Sequence, residues 1–275
     1  MNLVNKKILL FLLLLASYKS WGQTQCKPSI LPFIGGEELI YDVDYLMGNN
    51  WVSAAKVRFI VKDSIFNSKP CYYVEGKGRT LKSYDWFFKV RDKYASFIEK
   101  ETHDPLHFIR RVREGDFYLN YDYDFNYNNL TSEVHEKRRN VEKNETLVIS
   151  KCSFDIISSV YFARAIPFQK LSKGDTIPLD LILDKQLYND VSIIYNGLRR
   201  IKDQQNRKIE CIHFEIELIA GTIFKGNEKM DVFVTNDENK IPIYVEAEII
   251  VGSIRVYIKS IKNTKTPLRL SLIHI

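Results

Sequence analysis

The sequence predicts an all-β protein: a large antiparallel curved sheet, barrel-like or a sandwich, with one short helix around 154–165. Three observations carry this. Apolar residues alternate at period two from Glu38 onward, the signature of half-buried strands. Turn residues or prolines separate these segments at short, regular intervals, which suits antiparallel neighbours, since parallel strands need crossovers of about a dozen residues. The alternation breaks for a helical period at one place only, in FDIISSVYFARA.

The first strand pattern is ELIYDVDYLM, with Leu39, Tyr41, Val43, Tyr45 and Met47 on one face and Asp42 and Asp44 on the other. Gly48-Asn49-Asn50 turns it into WVSAAKVRFIVKD, where Val57, Phe59 and Val61 alternate with Lys56, Arg58 and Lys62, as in the second arm of a hairpin. CYYVEGKGRTL, KYASFIEKE, LHFIRRVRE, FYLNYDYDFNY and LTSEVHEKRR follow. In the helical stretch, Phe154, Ile157, Tyr161 and Ala165 share a face, Ser153 is placed to cap it, and Pro167 stands beyond its end. Strands resume at DTIPLDLILD and continue through LYNDVSIIYNG, IECIHFEIELI, KMDVFVT, IPIYVEAEIIV and SIRVYIKSIK, stopping near Ile261.

Ahead of this lies an apolar run, Ile8 to Ala16, preceded by Lys6 and Lys7 and followed by Ser20-Trp21-Gly22. That is the layout of a secretory signal peptide over 1–22, with small residues at the positions that signal peptidase reads. The run is far shorter than the roughly 20 apolar residues of a membrane span, so no transmembrane segment is expected. Thr24-Gln25 before Cys26 does not suit lipidation. The expectation is an exported protein, periplasmic or secreted and soluble after cleavage, with one domain over 23–268. The final LRLSLIHI resembles a translated adapter peptide, which leaves 269–275 a doubtful tail. Losing Lys6, Lys7 and Lys19 takes the net charge from +6 to +3, an ordinary mixed surface and no footprint for nucleic acid.

Four cysteines, Cys26, Cys71, Cys152 and Cys211, are too widely spaced for a zinc-type pair. An exported chain permits disulfides. Cys71 and Cys211 lie inside strand patterns, whereas Cys26 and Cys152 lie in less regular segments and are the favoured pair. His103 and His107 flank Asp104-Pro105. Pro105 forbids a helical pair of ligands, and four extended residues span roughly 13 Å, so no metal is expected. Gly76 and Gly78 in GKGRT lack the spacing and the helix of a phosphate loop and are read as a bend in the sheet. No cofactor motif and no nucleophile elbow is present.

Charged residues among aromatic strands are the remaining lead: Arg79, Asp85, Arg91, Asp92, Arg110, Arg113, Glu114, Asp155 and Arg164. Arg79, Arg91, Asp92, Arg111, Glu114 and Arg164 are the candidate ligand-binding residues, holding a polar or anionic head group while Tyr and Phe hold its apolar part. The bland alternative is paired ions that keep sheet edges from aggregating. Two carboxylates such as Asp92 and Glu114 would serve acid–base chemistry if the fold joined them; no catalytic residue is assigned.

Taken together, GEELIYDVDY, GKGRT, FKVRDKYASFIE, PLHFIRRVREGDFY, FDIISSVYFAR, KGDTIPL, GTIFKG and MDVFVTNDENKIPIYVEAEIIVGSI resemble the bacterial family called domain of unknown function 3108, from about Gly35 to about Ile261. VRDKY, the stretch Arg111 to Gly115, and TNDENKIPIYVEAEIIVGSI carry most of the resemblance. It implies an exported, Bacteroidota-type β-rich protein and brings no catalytic residues with it. Two functions stand open: a non-enzymatic binder of a lipid or other amphiphile of the envelope, or a structural role docking an envelope protein. A carboxylate-based hydrolase ranks third. The binder reading puts the ligand on the concave face lined by Tyr and Phe and requires a cavity larger than ~300 Å³ there; a solidly packed inner face removes it, because alternating aromatics also simply fill cores.

Overall fold

The computed structural model describes residues 27–28, 30–86, 88–138, 141–203, 206–217, 229–249 and 252–269. The expected signal peptide, Cys26 and nearly all of the doubtful tail lie outside the described residues.

Alternation becomes strand almost everywhere it was read. β1 (Glu38–Met47), β2 (Asn50–Phe66), β3 (Lys69–Thr80), β4 (Arg91–Glu99), β5 (Pro105–Glu114), β6 (Phe117–Asn126), β7 (Thr131–Arg138) and β8 (Val141–Val148) form one meander. A two-residue β9 (Ser153–Phe154) and the helix α1 (Ile156–Ala165) follow. A second meander runs through β10 (Thr176–Leu183), β11 (Gln186–Lys202), β12 (Lys208–Glu217), β13 (Lys229–Thr235), β14 (Pro242–Glu248) and β15 (Ser253–Lys262). Antiparallel pairing of β1 with β15 joins the halves into one 15-stranded sheet, ordered β8-β7-β6-β5-β4-β3-β2-β1-β15-β14-β13-β12-β11-β10-β9. Every pair is antiparallel except β9 with β10.

That exception corrects the helix boundary. Ser153 and Phe154 are drawn into the parallel pair with β10, so the helix begins at Ile156 and its cap is Asp155, not Ser153. The Asp155 carboxylate accepts from the Ile157 and Ser158 amides, while Ser158 Oγ returns a bond from the Asp155 amide, a reciprocal capping box.

The sheet curls around α1, closer to a barrel than to a sandwich. On one side Ile157 and Tyr161 pack with Val61, Val74, Phe108, Tyr121 and Tyr123. On the other, Ala163 with Ile166 and Phe168 just beyond the helix packs with Ile193, Tyr195, Ile212 and Phe214. The concave aromatic face is therefore core. In β1 the expected apolar face holds at Leu39 and Tyr41, which are buried, and fades to an exposed Met47 beside the turn. No helix among the described residues is long and apolar enough to cross a membrane.

Candidate functional site

Register places the candidate residues. Val57, Gly78 and Asp92 are in line across β2, β3 and β4, and share the concave side with Phe59 and Val74. Their neighbours point the other way. Lys56 pairs with Arg79 and Arg79 with Arg91; Arg58 pairs with Lys77 and Lys77 with Lys93. Two adjacent rows of three cations thus cross the convex face. Like charges directly opposite each other in a sheet are destabilising.

A cavity of about 600 Å³ lies there, lined by Ile40, these six cations and the strand segments at Val57, Gly78 and Asp92. The second row is neutralised internally. Glu38 accepts from Arg58, and Glu75 is bridged by Lys77 at 2.8 Å and Lys93 at 3.3 Å. Burial pushes the Glu75 carboxyl up, yet Lys77, Tyr73 and Lys93 hold it below its ordinary range. The first row is less satisfied. Arg91 meets Asp85 at 2.5 Å, Lys56 lies 3.8 Å from Asp42, and exposed Arg79 makes no carboxylate contact among the described residues. Ile40 and the alkyl stems of the lysines and arginines give the groove apolar walls.

Of the six residues singled out, the structure brings Arg79, Arg91 and Asp92 to this cavity. Arg111 stands one strand further, opposite Lys93, with both oxygens of Asp122 at 2.7 Å from its guanidinium. Glu114 lies on the concave side against Asp92. Burial raises both carboxyls, and the bond between them raises Glu114 while lowering Asp92. Asp92 also accepts from the Arg113 amide at 2.9 Å.

Arg164 belongs elsewhere, which corrects its place among the ligand-binding candidates. It is 1 % exposed, donates to both oxygens of Glu37 at 2.6 and 2.8 Å, and reaches the Asn239 carbonyl. It ties α1 to the start of β1. Asp155, completely buried as the helix cap and bonded to Ser96 at 2.7 Å, also stays away from Asp92 and Glu114. The fold thus joins Asp92 with Glu114, the pair singled out for acid–base chemistry, and leaves Asp155 apart from them.

His103 and His107 do not share a ligand site: His103 donates to the Pro28 carbonyl and His107 to Asp124. Burial depresses the His107 imidazole, but Asp122 and Asp124 carry it up to about 9. Among the described residues, His213, Glu215 and Asp231 offer three donor atoms within 4.8 Å. His213 Nε2–H already donates to Asp231 at 2.6 Å and Glu215 takes Lys229 at 2.9 Å, so each of the three is engaged by another side chain. Cys71 and Cys211 are free and buried, whereas Cys152 is in a disulfide.

No curated protein matches the chain. Among solved structures, a β-barrel-like protein of domain family DUF1849 from Brucella abortus aligns with a TM-score of 0.55 at 10% identity, over 86% of this chain and 100% of that one. The likeness shows a shared fold. A hypothetical protein from Chlamydia trachomatis aligns over 88% of this chain and 94% of its own at 8% identity, with a TM-score of 0.34. The model of the family described as "Protein of unknown function (DUF3108)" matches residues 40–259, from Ile40 in the groove to Lys259 of β15. The chain belongs to the DUF3108 family.

Proposed function

We propose that the protein is exported, matures near Gln23 as a single domain, and binds the anionic head group of an envelope amphiphile in the convex groove of β2–β4, without catalysis. The observation behind this reading is the row Lys56-Arg79-Arg91. A fold gains nothing from opposing three cations across adjacent strands; a bound phosphate, sulfate or carboxylate offsets the repulsion, and arginine suits such oxygens through paired donors. Ile40 and the alkyl stems then meet the first carbons of the tail. Since α1 fills the concave face, the ligand sits outside the barrel, contrary to a lipid held within the curl.

The first experiment is native mass spectrometry of the mature protein from a periplasmic extract, with identification of whatever leaves on denaturation. A stoichiometric anionic amphiphile, lost in Arg79→Glu, is the expected result; a clean apo mass that stays apo when anionic amphiphiles are added sinks the reading. Strand addition at the open β8 edge is less favoured, because Glu142, Lys143 and Glu145 along it discourage edge pairing.

Export also bears on the cysteines. With Cys71 and Cys211 free, we assign Cys26 as the partner of Cys152. Lys27 supports this: its ammonium lies 5.1 Å above the Tyr127 ring, whose hydroxyl donates to the Ser153 carbonyl. Non-reducing peptide mapping should recover residues 26 and 152 in one linked species that reduction separates. Recovery of Cys26 as a free thiol would refute the pairing.

A further inference from the structure

Of the twelve exposed large apolar side chains among the described residues, six lie at one end of the first meander. Because the first meander alternates direction, the β1–β2, β3–β4, β5–β6 and β7–β8 connections share an end. Those connections or the strand ends beside them carry Met47 (47 % exposed), Trp86 (83 %), Phe88 (49 %), Phe117 (37 %), Tyr118 (41 %) and Val141 (53 %). Strand ends meeting water need no such residues. Four alternate connections of the meander presenting them at one end make a rim.

Cations stand just behind these tips. Arg113 lies over the Tyr118 ring at 5.1 Å and Arg138 over Phe117 at 4.8 Å, and neither makes an ion pair among the described residues. Trp86 adjoins Asp85, which is pinned to the first cation row by Arg91 at 2.5 Å and by the Thr80 hydroxyl at 2.8 Å. A second cavity of about 530 Å³ opens in this rim, lined by Asp116, Phe117, Tyr118, Glu136, Arg138, Val141 and Lys143. Interfacial tryptophan and tyrosine with basic residues one layer back is the chemistry of a surface that rests in the head-group region of an anionic bilayer.

We infer that this rim docks the protein on an anionic lipid surface, with Trp86 and Met47 entering the interface and Arg113, Arg138 and the Arg79–Arg91 row facing the phosphates. The inference rests in part on the groove reading, because the first cation row opens toward the same end and takes its head group from the docked membrane. The apolar tips are independent of it. No strand crosses the bilayer in this arrangement; the contact is peripheral.

The test is co-sedimentation of the mature protein with vesicles of phosphatidylglycerol and, separately, phosphatidylcholine. It is paired with binding of monomeric dihexanoyl phosphatidylglycerol below its micelle concentration. Binding to phosphatidylglycerol but not phosphatidylcholine vesicles is expected. In a Trp51→Phe background the Trp86 emission should shift to the blue on those vesicles. Trp86→Ser with Met47→Ser, both at exposed tips, should weaken vesicle binding more than about tenfold and leave the monomeric lipid bound as before. Monomer binding without vesicle binding, or vesicle binding indifferent to these substitutions, overturns the rim and leaves the groove intact. Vesicle binding that survives Arg79→Glu while monomer binding never occurs upholds the rim and removes the groove.

Discussion

Burial raises the carboxyls of both Asp92 and Glu114, and the sign of the effect on stability follows from that direction. A carboxyl raised in the folded state contributes fully below its unfolded value, near about 4, and that contribution is lost as pH rises through the folded value. Glu114→Gln keeps a donor toward Asp92 and removes the ionisation. The variant should match the parent in acid and exceed it above the carboxylate range, by at most about 1 kcal/mol, or roughly 2–4 °C in Tm. Thermal melts from pH 3 to 8 check this, and a variant less stable at pH 7 would mean that burial does not raise Glu114. Both residues were legible as charged positions in aromatic strands. Their meeting was not, because it depends on the register of β4 against β5, which alternation alone leaves free. Arg164 was misread for the opposite reason: its partner Glu37 lies 127 positions away, and a sequence gives an arginine on a helix no sign of a distant buried carboxylate.

At the scale of the element, α1 shows why the aromatic strands make no ligand chamber. Gly76 faces the helix across β3. A Cβ there would stand 2.8 Å from Phe59 and 3.3 Å from the Ile157 methyl, whereas one at Gly78 would meet nothing within 4 Å. Gly76 is therefore clearance first for the Phe59 ring opposite it and then for the helix, and Gly78 leaves open space beside Asp92; the bend read into GKGRT concerned both glycines alike. Gly76→Ala should cost about 1–3 kcal/mol through overpacking, and Gly78→Ala should cost well under that, in urea melts of the two variants. Equal losses would place the helix farther from β3 than its contacts indicate. The helix itself was visible as the one break in period two, and its burial on all sides was not. With Ser158, Ser159 and Arg164 among its buried residues and Asp155 buried at its cap, it is enclosed in the fold, its ions being satisfied by Ser96 and Glu37.

Among the described residues the sheet curls round without a closing strand pair, with β8 and β9 as its edges. The turn between β10 and β11 takes that role. Asp184 and Lys185 both adopt positive φ, at 48° and 63°, which makes the hairpin tight enough to reach the concave face of β5–β8. There Asp184 accepts from Arg110, the Lys185 ammonium donates to Glu136 and Glu145, each at 2.9 Å, and its amide donates to the Tyr123 hydroxyl at 3.2 Å. Ile182, fully buried, and Leu187 seat the hairpin in the larger core. Successive strand patterns, DTIPLDLILD and LYNDVSIIYNG, were legible on either side of this turn, but not the far wall against which it lands, because that wall is built forty or more residues earlier. Lys185→Ala removes the ammonium and leaves Glu136, which is 9 % exposed, without its cation. Charge-assisted bonds of this kind contribute about 1.5–3 kcal/mol, enough to change local opening at least roughly tenfold. Amide exchange should therefore quicken in β8 and around residues 181–188 while β1–β3 keep their protection. An even rise throughout would mean that the seam and the sheet open as one unit, and no rise would mean that the apolar seat of Ile182 and Leu187 holds the barrel shut without the ionic clasp.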